Sequence, residues 1–320
     1  MVTLQTALPA AYQNALSTAC PRAGLQMDRV SFFSVTVPSS AETQVHGTVI
    51  VPHDAERLVL LAGGFRQDTS SLANVLARFA AARNAVLLYE PHGSGLVSTP
   101  YSVGNPFTND ARSMTAGFTK ILKEGVPALL GRLPDYFPVH VLAHCMGGTT
   151  VLDHFSGDNF TESLLLPLAD GGVRGIASLT LLNPGLHTSG YYRAPWNYVL
   201  PLLARGALLV SRGHLGHLTS PVFRVAGFDP KPVVIERIRD RRVQPTIPLL
   251  WMLCPTDRDI NPVRVREYAA MMGGEHTYVT GTTSHTPFRQ NEIEGVVSSL
   301  QMFWNSVERG ESPGQFFERL

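Results

Sequence analysis

A mainly parallel, doubly wound α/β sheet with an inserted, helical lid is the fold class the sequence predicts, on three patterns. Short apolar, β-rich runs alternate with helically spaced segments from Arg57 onward, an antiparallel opening precedes them, and one long stretch interrupts the rhythm. Strand and helix in alternation imply a sheet covered on both faces by right-handed crossovers. The C-terminal ends of the strands then share one edge, where ligands bind in such sheets.

The elements follow in order. Val30 to Val37 and Thr43 to Val51 are β-rich and separated by Pro38-Ser39-Ser40, a hairpin-like opening. Arg57 to Ala62 and Ala85 to Tyr89 are buried strands flanking a helix over Ser70 to Arg83, where Leu72, Val75, Leu76 and Phe79 fall at helical spacing. One long helix is expected from Asn109 to Leu130, with Asn109 or Asp110 as its cap. Val139 to Ala143, Gly175 to Leu182, Thr246 to Leu253 and His276 to Val279 supply further strands, and Asn291 to Val307 a closing helix. The reading is one domain over 1–320, with its core at about 27–186 and 243–310 and a lid at about 187–242. Within the lid, Ile235 to Arg242 intersperses Glu236 and Asp240 among basic residues, as on a solvated helix face.

Composition narrows the partners. With 320 residues, 44% hydrophobic and 16% charged, the chain can bury a large core. A formal charge of +1 gives no electrostatic case for nucleic acid or an anionic membrane surface, so the expected partner is a small molecule. No apolar run reaches a membrane span, and the first residues lack the basic-then-apolar pattern of a signal peptide. Cys20, Cys145 and Cys254 are an odd set without paired spacing, which points to a reducing, cytoplasmic setting. The sequence sets no oligomeric state.

One turn carries chemistry. The strand ending at Ala143 runs abruptly into His144-Cys145, then Gly147-Gly148 and a helix. A nucleophile on a strained strand-to-helix turn needs small residues two places before and after it, and Ala143 and Gly147 meet that need. The helix start directs unpaired N–H groups and a positive dipole end at Cys145, favouring thiolate. A thiol nucleophile also needs a base, an acid to orient the base, and donors for an oxyanion. His285 lies directly after the last expected strand, and the loop after Leu253 offers both Asp257 and Asp259.

Ala143-His144-Cys145-Met146-Gly147 resembles the G-x-S-x-G elbow of the α/β-hydrolase superfamily, with alanine for the first glycine and cysteine for serine. The order nucleophile, acid, histidine is also that of the superfamily, which implies a Cys145, Asp257, His285 triad, with Asp259 the competing acid. The turn Gly63-Gly64-Phe65 resembles the superfamily's His-Gly-hydrophobic turn and implies an oxyanion hole from the N–H groups of Phe65 and Met146. Glu90 to Ser98 resembles its Asp-x-x-Gly-x-Gly-x-Ser segment, a structural feature there. Gly64, His144, Tyr191 and Trp196 are the expected substrate contacts.

No cofactor is implied: Gly93-Ser94-Gly95 lacks the rest of a dinucleotide loop, and His214 and His217 lack companions for a metal. The resemblance implies an ester or thioester substrate, free or linked to a carrier or to CoA, and an acyl-cysteine intermediate. With water as acceptor the enzyme is a hydrolase; with an alcohol, thiol or amine it is an acyltransferase or a cyclising release enzyme. The aromatic, apolar lid suits a hydrophobic acyl chain. Two other readings stand beside it: a hydrolase-fold protein that binds without turnover, and a serine esterase with cysteine engineered into the serine's place.

Overall fold

Leu58, Leu60 and Ala62 enter one apolar layer, while Val59 and Leu61 enter another. The same division recurs at Ala85, Leu87 and Tyr89 against Val86 and Leu88, and at Leu249, Trp251 and Leu253 against Leu250 and Met252. Successive side chains of a strand point to opposite faces, so these strands read as unbroken apolar runs because both faces are covered. The structure, a computed structural model, describes residues 2–38, 44–64, 67–90, 111–134, 137–156, 164–168, 171–187, 231–240, 246–273, 277–282, 284–288 and 292–319.

Among these residues the strands are β1 (Thr3–Gln5), β2 (Val30–Pro38), β3 (Gln44–Pro52), β4 (Arg57–Ala62), β5 (Asn84–Glu90), β6 (Val139–His144), β7 (Leu165–Pro167), β8 (Val173–Leu182), β9 (Leu249–Leu253) and β10 (Thr277–Gly281). Their order across the sheet is β1-β2-β3-β5-β4-β6-β8-β9-β10, with β7 beside β8. Strands β5, β4, β6, β8, β9 and β10 pair parallel, and β1, β2 and β3 join them antiparallel. The expected doubly wound sheet is thus present, with the opening hairpin as β2 and β3.

The helices are α1 (Ala10–Arg22), α2 (Thr69–Ala81), α3 (Ala111–Lys120), α4 (Val126–Leu130), α5 (Met146–Phe155), α6 (Lys231–Arg239), α7 (Pro262–Met271), α8 (Ile293–Glu308) and α9 (Pro313–Phe317). One face of the sheet packs Phe118 of α3, Val151 and Phe155 of α5, Val234 and Ile238 of α6, and Val265 and Tyr268 of α7. The other packs Leu16 of α1, Leu72 and Phe79 of α2, Phe303 and Trp304 of α8, and Phe316 of α9. Helix α2 begins at Asp68, whose carboxylate accepts from Ser71 N while the Ser71 hydroxyl accepts from Asp68 N, both at 2.8 Å.

The single long helix expected from Asn109 to Leu130 is instead α3, a π turn over Ile121–Gly125, and α4. Pro127 lies in the first turn of α4; it has no N–H to bond back into the preceding turn and its ring crowds that turn's carbonyl, which widens it. The expected caps, Asn109 and Asp110, lie outside the described residues, as does the inserted stretch from 188 to 230. Helix α6 follows that stretch with Glu236, Arg239 and Asp240 exposed and Val234 and Ile238 buried, as a solvated face requires. No described helix is long and apolar enough to cross a membrane.

Candidate active site

Parallel pairing brings the ends of β4, β6, β8, β9 and β10 to one edge, and with them the loops singled out by the sequence. At the end of β6, Cys145 stands in left-handed backbone, φ 53° and ψ −120°, immediately before α5. That conformation is uncommon for a side-chain-bearing residue and is held by the surroundings. Cys145 N–H donates to Leu182 O at 3.1 Å, and Cys145 O accepts from Gly185 N at 2.8 Å and Gly148 N at 3.0 Å. Gly147 has no room for a side chain: a Cβ there would sit 2.1 Å from the Ala62 carbonyl oxygen. The helix therefore rests directly on the end of β4.

Asp257 and His285 meet. Asp257 Oδ2 lies 2.6 Å from His285 Nδ1, and Asp257 Oδ1 accepts from Asp259 N at 2.7 Å and Ile260 N at 3.1 Å. The Asp257 side chain is 0% exposed and that of His285 15%. Of the two candidate acids, Asp257 makes the bond to His285, whereas Asp259 supplies a backbone N–H to Asp257. Burial works against a charged His285, but hydrogen bonds to Asp257 and to Cys145, with the charges of both, outweigh it and raise the imidazole to about 10.

Gly64 packs against the cysteine, where an added Cβ would come 2.9 Å from Cys145 Cβ. Its N–H donates to Gln67 Oε1 at 2.5 Å, and the same amide faces His144 Nδ1 at 3.1 Å. His144, expected as a substrate contact, is 1% exposed, with both ring nitrogens turned to neighbouring loops. Its Nε2 donates to His285 O at 2.8 Å. Burial and the nearby His285 charge depress His144 to about 4. Met146 opens α5, so its N–H belongs to a first turn without intrahelical acceptors. Phe65, Tyr191 and Trp196 lie outside the described residues.

Asp257, Asp259 and His285 offer ligand atoms within 4.8 Å of one another. Both oxygens of Asp257 are already engaged, one by His285 and one by two backbone N–H groups, so the cluster is built for a hydrogen-bonded pair. Two residues escaped the sequence reading. Gln67 carries no sequence signal, but Asn183 lies between an apolar strand and Pro184-Gly185, a turn signal after a buried strand. Asn183 joins the loops after β9 and β10 by hydrogen bonds to Cys254, Ser284 and His285.

No protein-family model matches the chain, and no curated protein matches it in sequence. Solved structures do match. The soluble variant of monoglyceride lipase from Saccharomyces cerevisiae, in complex with a substrate analog, aligns over 82% of this chain and 92% of its own, with TM-score 0.59 and 13% identity. The thioesterase domain from the curacin biosynthetic pathway aligns over 84% and 98%, with TM-score 0.52 and 10% identity. A thermostable carboxyl esterase from Bacillus coagulans, bound to glycerol, aligns over 86% and 98%, with TM-score 0.52 and 14% identity. The chain has the α/β-hydrolase fold.

Proposed function

We propose that the protein is an acyl-transfer enzyme that acts on an ester or thioester through an acyl-cysteine intermediate. The observation that carries this reading is the set Cys145, His285 and Asp257 at one sheet edge, with Asp257 Oδ2 2.6 Å from His285 Nδ1 and Cys145 on the strained turn before α5. The lipases, esterases and thioesterases among its structural neighbours support the substrate class.

In this mechanism Cys145 is the nucleophile, His285 the acid and base, and Asp257 the group that orients His285. The thiolate attacks the carbonyl carbon, a C–S bond forms, and the carbonyl electron pair moves to oxygen, where the N–H groups of Met146 and Phe65 receive it. One such donor is worth roughly 3 kcal/mol in the transition state. The tetrahedral adduct collapses as the leaving alkoxide or thiolate takes the proton from His285, leaving an acyl-cysteine. An acceptor then gives its proton to His285 and attacks the acyl carbon, and the Cys145 thiolate departs. Water makes the reaction a hydrolysis; an alcohol, thiol or amine makes it a transfer or a cyclisation. A thioester retains more transfer potential than an oxygen ester, so cysteine favours acceptors other than water. Gly64 and the segment holding Tyr191 and Trp196 are the proposed substrate contacts, the latter in a lid over a hydrophobic acyl chain, free or linked to a carrier or CoA. The cysteines Cys20, Cys145 and Cys254 are free, which supports a reducing, cytoplasmic setting.

Intact-mass measurement after mixing with acyl thioesters and aryl esters tests the reading. An adduct on the native protein that is absent from Cys145→Ala is expected, whereas turnover unaffected by Cys145→Ala would sink it. Adding alcohols or amines and measuring transferred product distinguishes transferase from hydrolase.

A further inference from the structure

Asn183 directly follows β8 in left-handed backbone, φ 43°, and takes no part in the chemistry just described. It is fully buried, yet its amide is engaged from two loops. Its Oδ1 accepts the Cys254 N–H at 2.6 Å; its Nδ2 donates to Ser284 O at 2.8 Å and His285 O at 2.9 Å, with Thr282 Oγ1 at 3.2 Å. A backbone N–H can only donate and a carbonyl can only accept, so these partners leave the amide a single orientation.

We propose that Asn183 is a positioning residue that clamps the acid-bearing loop after β9 to the base-bearing loop after β10, and so holds the Asp257–His285 pair in register with Cys145. This rests on the roles proposed above for those three residues. Strand β8 pairs with β9, and β9 with β10, so Asn183 reaches across the end of one strand to the loop of the next. The point it grips is the carbonyl of the base residue itself. The same carbonyl takes a second hydrogen bond, from His144 Nε2 at 2.8 Å, on the residue preceding the cysteine. Two donors on His285 O tie the elbow, the acid loop and the base loop together and leave the imidazole little freedom beyond its side-chain torsions. An amide suits this place because it presents an acceptor to one loop and donors to the other. Aspartate would keep the acceptor for Cys254 N–H but turn a carboxylate oxygen on two carbonyl oxygens. Asparagine also tolerates positive φ better than most residues.

Asn183→Gly keeps the left-handed backbone without steric cost and removes the clamp; Asn183→Asp keeps half of it. The first readout is the strongly deshielded NMR resonance of the His285 Nδ1–H shared with Asp257, identified by its loss in His285→Gln. The second is the pH profile of Cys145 alkylation by iodoacetamide, located by mass mapping since Cys20 and Cys254 are buried. Both variants are expected to unfold in one cooperative transition, with the resonance broadened or lost and the alkylation midpoint raised by about one pH unit. At pH values below the native midpoint the alkylation rate then falls about tenfold, following the thiolate fraction. A native resonance and profile in either folded variant would overturn the proposal, as would a native protein without the resonance, or failure of both variants to fold. The readouts need no substrate, so a native protein that forms no acyl adduct counts against the acyl-transfer reading alone.

Discussion

His285 shows how much single groups can be shifted by their neighbours. Its imidazole is raised to about 10 because the hydrogen bonds to Asp257 and Cys145 favour the charged ring more than burial opposes it. A folded-state pKa above the unfolded one means that this stability is fully present below about pH 6.5 and is lost as pH rises through about 10. His285→Gln should accordingly cost about 2 kcal/mol of unfolding free energy near pH 6, the scale of a hydrogen bond to a charged group, and less at pH 10.5, where only the neutral ring's Nδ1–H is lost. Urea titrations at the two pH values check this; equal losses at both would contradict it. Glu90 has the same sign for a different reason. Burial raises its carboxyl to about 7, despite hydrogen bonds from Thr69 and Tyr12 that lower it. The protonated form is therefore favoured by folding, and the advantage disappears as pH rises from about 4.5 to about 7. Glu90→Gln should remove that slope, gaining up to about 3 kcal/mol relative to the native protein between pH 5 and pH 8, as read from denaturant midpoints.

The junction of β4, β6 and α5 sets the elbow, and its tolerance is small. Gly147→Ala would drive a Cβ into the Ala62 carbonyl, backbone against backbone, with no flexible side chain able to give way. A loss of more than about 3 kcal/mol is expected, seen as a lowered thermal midpoint or as insoluble protein; a soluble variant of native midpoint would contradict the packing. This junction was legible in the sequence because its demands are local: small residues at Ala143 and Gly147, an apolar strand before them and a helix after. The placing of His285, Asp257 and Asp259 after strand ends was legible too, although which aspartate bonds His285 depends on the loop's own hydrogen bonds. The π turn before Pro127 was not legible, since the apolar spacing carries on through it. Helix α1 was missed because its buried residues, Tyr12, Leu16, Ala19 and Cys20, are interleaved with small and polar ones and closed by Pro21. Asn183 and Gln67 could not be placed by pattern, because their partners are distant in sequence and meet only when the sheet has formed.

The molecule keeps its candidate chemistry at one edge of the sheet and a polar latch at the other. Arg57, at the start of β4, donates to Gln301 at 2.8 Å, Asn305 at 2.6 Å and Glu308 at 3.1 Å on α8. His140 on β6 reaches Glu308 at 3.0 Å and Ser178 on β8 at 2.7 Å. Removing the buried cation strands the groups around it, so Arg57→Ala should lower stability by about 3 kcal/mol. The alkylation profile of Cys145 should stay native in the folded variant, since the latch lies at the far ends of the strands; a shifted profile would show the two edges to be coupled.

The elbow itself has a consequence for synthesis. Cys145 holds its left-handed turn through bonds to Leu182 and Gly185, both supplied by β8 and the turn that follows it. A ribosome that has delivered β6 and α5 but not β8 has made the cysteine without the frame that presents it. The nascent chain thus carries Cys145 without its left-handed turn until the next strand docks, and a product stalled before Leu182 is released with that turn unmade.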